Sequence, residues 1–294
     1  MEPLAGRLVV DLSRYVPGPF ASRELLRLGA RVVRLEAPGG DPLRDFAPAW
    51  HDALNAGKES VEVDLKADPA AGRALCAGAD VVIESFRPGV VERLGLGPAD
   101  LPERIVYCSL TGFGAGDLRA GHDLNYQGWA GLLADTAPAM PPVQIADLAG
   151  GALRAVVQIL AALLERERTG RGRRLTISLT QGAHELEAHR LGGEPFPRLL
   201  TGGLACYRIY ATADGRHLTV AALEPRFSRR LCELLGRPEL AERQWAPDQE
   251  PLADELAEAF AAKPLTTWLE LCDGEDVAVG PVATLEEASA RLAP

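Results

Sequence analysis

Short apolar runs separated by helix-length stretches constrain this chain more than any other feature. RLVVDL at residues 7–12, RVVRLE at 31–36, DVVIES at 80–85 and IVYCSL at 105–110 are compact and rich in β-branched residues, the pattern of strands buried on both faces. Residues 60–65 alternate apolar and polar and read as a further strand, as do residues 174–178. Between these runs lie stretches of helical character: 20–28 closed by Gly29, 68–77, and a long apolar segment from Asp147 to Arg168 ended by Gly170. Strands that alternate with helices predict an α/β architecture, a Rossmann-like parallel sheet with helices on both faces. The long apolar segment is expected to be a helix buried on most sides.

The pattern changes at GGEPFP, residues 192–197, a linker rich in glycine and proline. Beyond it, runs at 206–212 and 217–223 flank Asp214-Gly215, the signature of a hairpin. Helical stretches at 225–235, 252–262 and 265–272, a short strand at 278–284 and a last helix follow. Two domains are therefore expected, a large α/β domain over residues 1–195 and a smaller α+β domain over 196–294.

Composition bounds the partners. A net charge of −10 argues against nucleic acid and against an anionic membrane surface. Among 31 cationic residues only Lys58, Lys66 and Lys263 are lysines, so a local anion site would be built largely from arginine forks. Five cysteines lie scattered without CxxC or metal-ligand spacing, so neither a zinc site nor a disulfide framework is expected. The opening residues lack a basic stretch followed by an apolar one, and no run is read as a membrane span. The expected location is cytoplasmic.

Acid/base chemistry has few candidates. Of five histidines, His122 sits in a glycine-flanked polar turn beside a carboxylate, in Gly121-His122-Asp123-Leu124-Asn125-Tyr126. Asp147 opens a second polar segment, ADLAGG at residues 146–151. A neutral imidazole and a carboxylate on opposite sides of one carbon can move a proton from one face to the other when their surroundings tune their protonation. Plainer readings stand beside this one: Asp147 as an N-cap, His122 as a hydrogen-bonded turn residue, and Glu224, before Pro225, as the cap of the next helix. Arg87 lies between a strand end and Pro88-Gly89, where ligands approach open α/β sheets. Arg34, on the second strand, is a further candidate for an anion contact, and Tyr126 for a pocket wall. The alternatives are a structural ion pair for Arg87, a strand-surface role for Arg34 and plain packing for Tyr126.

Several segments carry a resemblance. FRPGVVERLGLG at residues 86–97, VVDLSRYVPGPFASRELLRLGARVVRLEAPGGDP at 9–42, NAGK at 55–58 running on to DLK at 64–66, and TGFG at 111–114 are similar, in order, to segments of the family III CoA-transferases. Gly121-His122-Asp123 and ALEPRF at 222–227 resemble the α-methylacyl-CoA racemase branch. The resemblance implies that family's fold, an acyl-CoA substrate, a homodimer (interlocked in relatives) and no metal or redox cofactor. It implies that His122 and Asp147 are the two proton-transfer groups, with Asp123 beside them. It further implies that Glu224 supports the histidine from the other domain and that Arg87 contacts CoA.

The implied reaction is inversion of C2 of a 2-methylacyl-CoA thioester by 1,1-proton transfer through an enolate. An enolate oxygen needs donors where its charge develops. Unpaired N–H groups at the helix start beside Asp147 are expected to supply them, with Gly150 and Gly151 admitting the substrate closely. In the transferase branch the position of Asp147 is a nucleophile that forms an acyl anhydride. That chemistry is the alternative, together with a non-catalytic paralogue that only binds acyl-CoA. Ala37 and Ala56 depart from the family, standing where relatives commonly carry cationic CoA contacts. Relatives also continue past the segment around Gly280-Pro281-Val282 and return to the large domain, so a C-terminal return segment is expected to be absent here.

Overall fold

The structure, a computed structural model, describes residues 2–292. The expected strands become β1 (Leu8–Asp11), β2 (Arg31–Glu36), β3 (Glu59–Glu62, shorter than the 60–65 run), β4 (Val81–Glu84), β5 (Val106–Thr111) and β6 (Arg174–Ser178). All pair in parallel, in the order β3-β2-β1-β4-β5-β6. Val9, Val10, Val81, Val82 and Ile83 are all fully buried, because crossover helices cover both faces of a parallel sheet. The order runs one way from β1 to β3 and the other way from β4 to β6. The chain therefore parts at the carboxyl ends of β1 and β4, where open sheets of this kind place their ligands.

Buried polar groups hold the loops at that edge. After β1, Asp11 accepts from Ser13 N at 2.9 Å and from Ser22 Oγ at 2.5 Å. Lys58 donates to Pro19 O at 2.7 Å, Ser22 Oγ at 2.8 Å and Asn55 Oδ1 at 2.9 Å. Burial lowers the Lys58 pKa to about 8, against the pull of Asp11. Gly18 is required here, since a Cβ would stand 1.8 Å from Ser13 Oγ. After β2, Arg34 pairs with Glu36 at 2.9 Å and Asp41 at 2.8 Å, and Arg44 reaches Glu36 at 2.5 Å.

The segment Ala146–Thr169 is long and apolar enough, by length and composition, to cross a membrane. Its residues Ala155, Ile159 and Ala162 are instead packed in the sheet's core, at the i, i+4, i+7 spacing of one helical face. The segment is expected to be buried on most sides, but Leu153, Val157 and Leu164 form a stripe that is 45%, 65% and 70% exposed. The segment opens as a π-helix over Ala146–Leu153 and continues as an α-helix over Arg154–Thr169, ending at Gly170 with φ +70°. Apolar spacing does not reveal a π turn confined to so few residues.

One compact unit reaches to Ala188 and a second begins at His189. In the second, β7 (Tyr207–Ala211), β8 (His217–Ala221) and β9 (Val279–Pro281) form an antiparallel sheet. Gly215, at φ +72°, turns the hairpin. Leu218, Val220, Leu256, Phe260 and Trp268 fill this unit's own core.

Candidate active site

Two cavities open along the carboxyl edge of the parallel sheet. One, of about 470 Å³, is lined by Tyr15, Arg87, His122, Tyr126 and Asp147, among others. The other, of about 500 Å³, is lined by Leu35, Ala37, Val63, Lys66, Arg93 and Leu94, among others. Arg14 and Phe86, just past β1 and β4, border both. The side chains of Arg14, Lys66, Arg87 and Arg93 are exposed and have no hydrogen-bond or ion-pair partner among the described residues.

His122 and Asp147 reach the first cavity from different helices. His122 stands immediately before the helix Asp123–Ala130, and its N–H donates to Asn125 Oδ1 at 3.0 Å, half of a capping box. The Tyr15 ring meets the imidazole edge-on, with centroids 6.2 Å apart. Tyr126 donates its hydroxyl to Gly121 O at 2.5 Å and packs edge-on against Phe113 at 5.2 Å, which fixes the chain just ahead of His122. Burial, then the charges of Asp147 and Asp123, raise the Tyr126 pKa, keeping the phenol a donor.

Asp147 lies in the first turn of the π-helix. Its N–H donates to Oδ1 of the buried Asp123 at 2.9 Å, and Asp123 Oδ2 accepts from Gln127 Nε2 at 2.5 Å. Asp123 thus ties the His122 helix to the Asp147 helix. Burial first, and the Asp123 carboxylate second, push the Asp147 carboxyl up to about 7. That lies in the range where imidazoles ordinarily titrate. A carboxyl held there can both take up and give back a proton near neutral pH.

Not every residue expected from the sequence reaches the site. Arg34 is 2% exposed and held by Glu36 and Asp41. It borders neither cavity, since a charge in a sheet interior is paired rather than offered to a ligand. Gly150 and Gly151 are buried and border neither cavity. A Cβ on Gly150 would stand 2.5 Å from Ala183 N, and one on Gly182 1.9 Å from Gly150 O. Gly150 therefore serves the close contact of the π-helix with the helix Leu179–Glu185, and Gly151 sits beneath Leu179 of that same helix. Asp147 is not an N-cap, because the helix begins one residue earlier with Ile145 as its cap. The N–H groups of Asp147 and Leu148 are taken by Asp123 Oδ1 and Gln144 O, so they are not the free donors expected for a carbonyl oxygen.

Glu224 lies in the second unit, exposed, directly before the helix Pro225–Leu234, and its side chain makes no capping bond. Reading the sequence alone misses Arg14, Tyr15, Lys66 and Arg93. Arg14, Tyr15 and Lys66 lie in loops after strands and Arg93 closes the short helix Val90–Arg93, but which strand ends adjoin depends on strand order, which the pattern of runs does not encode.

The model of the CoA-transferase family III matches residues 4–292. The chain is 37% identical to the alpha-methylacyl-CoA racemase of Homo sapiens over 97% of this chain and 78% of that protein. It is 32% identical to the succinyl-CoA:glutarate CoA-transferase of Mus musculus over 98% of this chain and 73% of that one. The crystal structure of Rv3272 from Mycobacterium tuberculosis is similar with a TM-score of 0.85 at 32% identity, over 98% of this chain and 86% of that chain.

Proposed function

Because the chain belongs to the CoA-transferase family III, we propose that its cavity holds an acyl-CoA thioester and inverts C2 of a 2-methylacyl group. One observation carries this reading: His122 lines the same cavity as a carboxyl, Asp147, that is pushed up to about 7. A proton on C2 is acidified by the thioester carbonyl beside it. In one sense of reaction the Asp147 carboxylate takes that proton and the electron pair moves onto the carbonyl oxygen. A protonated imidazole at His122 then returns a proton to the opposite face. In the other sense the neutral imidazole takes the proton and the Asp147 carboxyl returns one. Each inversion leaves the two groups with exchanged protonation, and proton exchange with water restores the pair. The side chains of Arg14, Lys66, Arg87 and Arg93, exposed and without a partner among the described residues, are suited to CoA phosphates, since guanidinium groups match phosphate with two parallel bonds and the Lys66 ammonium supplies a point charge. Glu224 is assigned the support of His122 on the resemblance alone.

Proton NMR of a chiral 2-methylacyl-CoA in D2O tests the proposal. The wild type is expected to wash deuterium into C2, and His122→Ala and Asp147→Ala are each expected to lose inversion by roughly 10²- to 10⁴-fold, the usual contribution of a general acid or base. A wild type that binds CoA yet neither exchanges nor inverts removes the racemase reading. Similarity to a CoA-transferase supports a second reading, with Asp147 as nucleophile. An adduct on Asp147 trapped by hydroxylamine or borohydride in the presence of acyl-CoA would move the assignment there.

The assembly in this reading is a homodimer. The exposed stripe of Leu153, Val157 and Leu164 is the kind of apolar surface that marks an interface. Leu164→Glu is expected to shift the sedimentation of the protein from dimer towards monomer. A wild type that sediments as a monomer at micromolar concentration overturns this part of the proposal.

A further inference from the structure

Arg14 and Phe86 are the two residues that border both cavities, and they stand where the strand order reverses. The backbone on either side of Arg14 is tightly held. Its own N–H donates to Ser85 Oγ at 3.3 Å, and Ser13 before it is bonded to the buried Asp11. Tyr15 after it has φ +65°, a left-handed conformation that a bulky residue keeps only where its surroundings impose it. The guanidinium itself is exposed and has no partner among the described residues. A fixed backbone beneath a free guanidinium leaves little to reorganise when an anion arrives.

The cavities on either side indicate which anion. One combines apolar walls, Leu35, Val63 and Leu94, with Lys66 and Arg93, and suits a heterocycle carrying phosphate. The other contains the acid/base pair. A ligand occupying both places its connecting group over the ridge between them, and in a CoA thioester the group between the nucleoside and the pantetheine arm is the 5′-diphosphate. We infer that Arg14 grips this diphosphate and so sets how far the thioester reaches toward His122 and Asp147. The inference rests on the acyl-CoA reading and deepens it by assigning Arg14 to one particular phosphate group. Among the described residues Arg14 carries the one guanidinium shared by the two cavities, and Ala37, across the nucleotide side, brings no charge.

Calorimetric titration of the full chain with CoA and with 3′-dephospho-CoA tests this, using wild type, Arg14→Gln and Arg14→Lys. Arg14→Gln is expected to weaken both ligands by the same factor, about 10- to 100-fold, as for loss of a charge-assisted bond. Arg14→Lys is expected to recover part of that loss because it restores the charge without the fork. Unchanged thermal unfolding of both variants shows that the exposed side chain was not supporting the fold. Weakening of CoA alone places Arg14 on the 3′-phosphate and overturns the inference. Unchanged affinity for both ligands, or no recovery by lysine, also overturns it. A wild type that binds neither ligand removes the acyl-CoA reading itself, and this inference with it.

Discussion

Asparagine at position 147 is expected to stabilise the folded chain above pH 7 while abolishing proton transfer. Unfolded, an aspartate titrates near 3.8; folded, Asp147 holds its proton up to about 7 because it is buried beside Asp123. Below 3.8 both states are protonated and the folded state carries no penalty. As pH rises from 3.8 towards 7 the unfolded chain loses its proton first, so stability falls, and the loss is complete once the folded group also ionises. At about 1.4 kcal/mol per pH unit the full effect is on the order of 4 kcal/mol. Asparagine carries no proton to lose and escapes it. Urea unfolding at several pH values should show wild type and Asp147→Asn converging near pH 4 and diverging to neutrality, with the variant the more stable. Parallel curves would mean that the carboxyl is not shifted in this way. Loss of inversion in the same variant would make position 147 a site where stability is given up for chemistry.

Asp123→Asn is expected to act on the reaction through Asp147. The Asp123 carboxylate is the second cause of the raised Asp147 pKa, after burial. Neutralising it lowers that pKa, so the limb of the kcat/KM profile governed by Asp147 moves to lower pH. The amide also brings an NH2 into a place where two donors, Asp147 N–H and Gln127 Nε2, now converge on carboxylate oxygens. One donor is left without an acceptor, a loss of about 1–3 kcal/mol in stability. A variant that is less stable but keeps its pH limb would leave Asp123 a purely structural tie. Movement of the limb with little change in KM would identify it as a positioning residue for the acid/base pair.

The sheet was legible in the sequence because its central strands, buried on both faces, read as compact β-branched runs, and the outer ones kept strand-length runs between helical stretches. RVVRLE and RLTIS became β2 and β6 with their expected bounds, Arg31–Glu36 and Arg174–Ser178. His122 and Asp147 were legible as a rare residue beside a polar turn and as an acid opening an apolar helix, and both line one cavity. The helix Asp123–Ala130 was not, since Gly128 interrupts it and its exposed Leu124 and Trp129 blur any apolar face. Gly150 was misread because a glycine that admits a ligand and one that admits another helix look alike in sequence. Arg34 was misread because its partners Glu36 and Asp41 become visible only once the loop after β2 is folded back. Arg14 could not be found at all without the neighbour relation of β1 and β4.

The π turn over Ala146–Leu153 makes the length of that segment a determinant of the chemistry. Removing one residue there would let the backbone revert to i→i−4 pairing. Everything ahead of the deletion would then rotate by about 100° around the helix axis and slide about 1.5 Å along it. Asp147 would swing off the cavity wall while the downstream helix kept its seat on the sheet. Substitutions within the segment test individual contacts, whereas a single-codon gap resets the bearing of the carboxyl. Alignments that slide a gap freely through ADLAGGAL therefore pair residues that cannot occupy the same place in space.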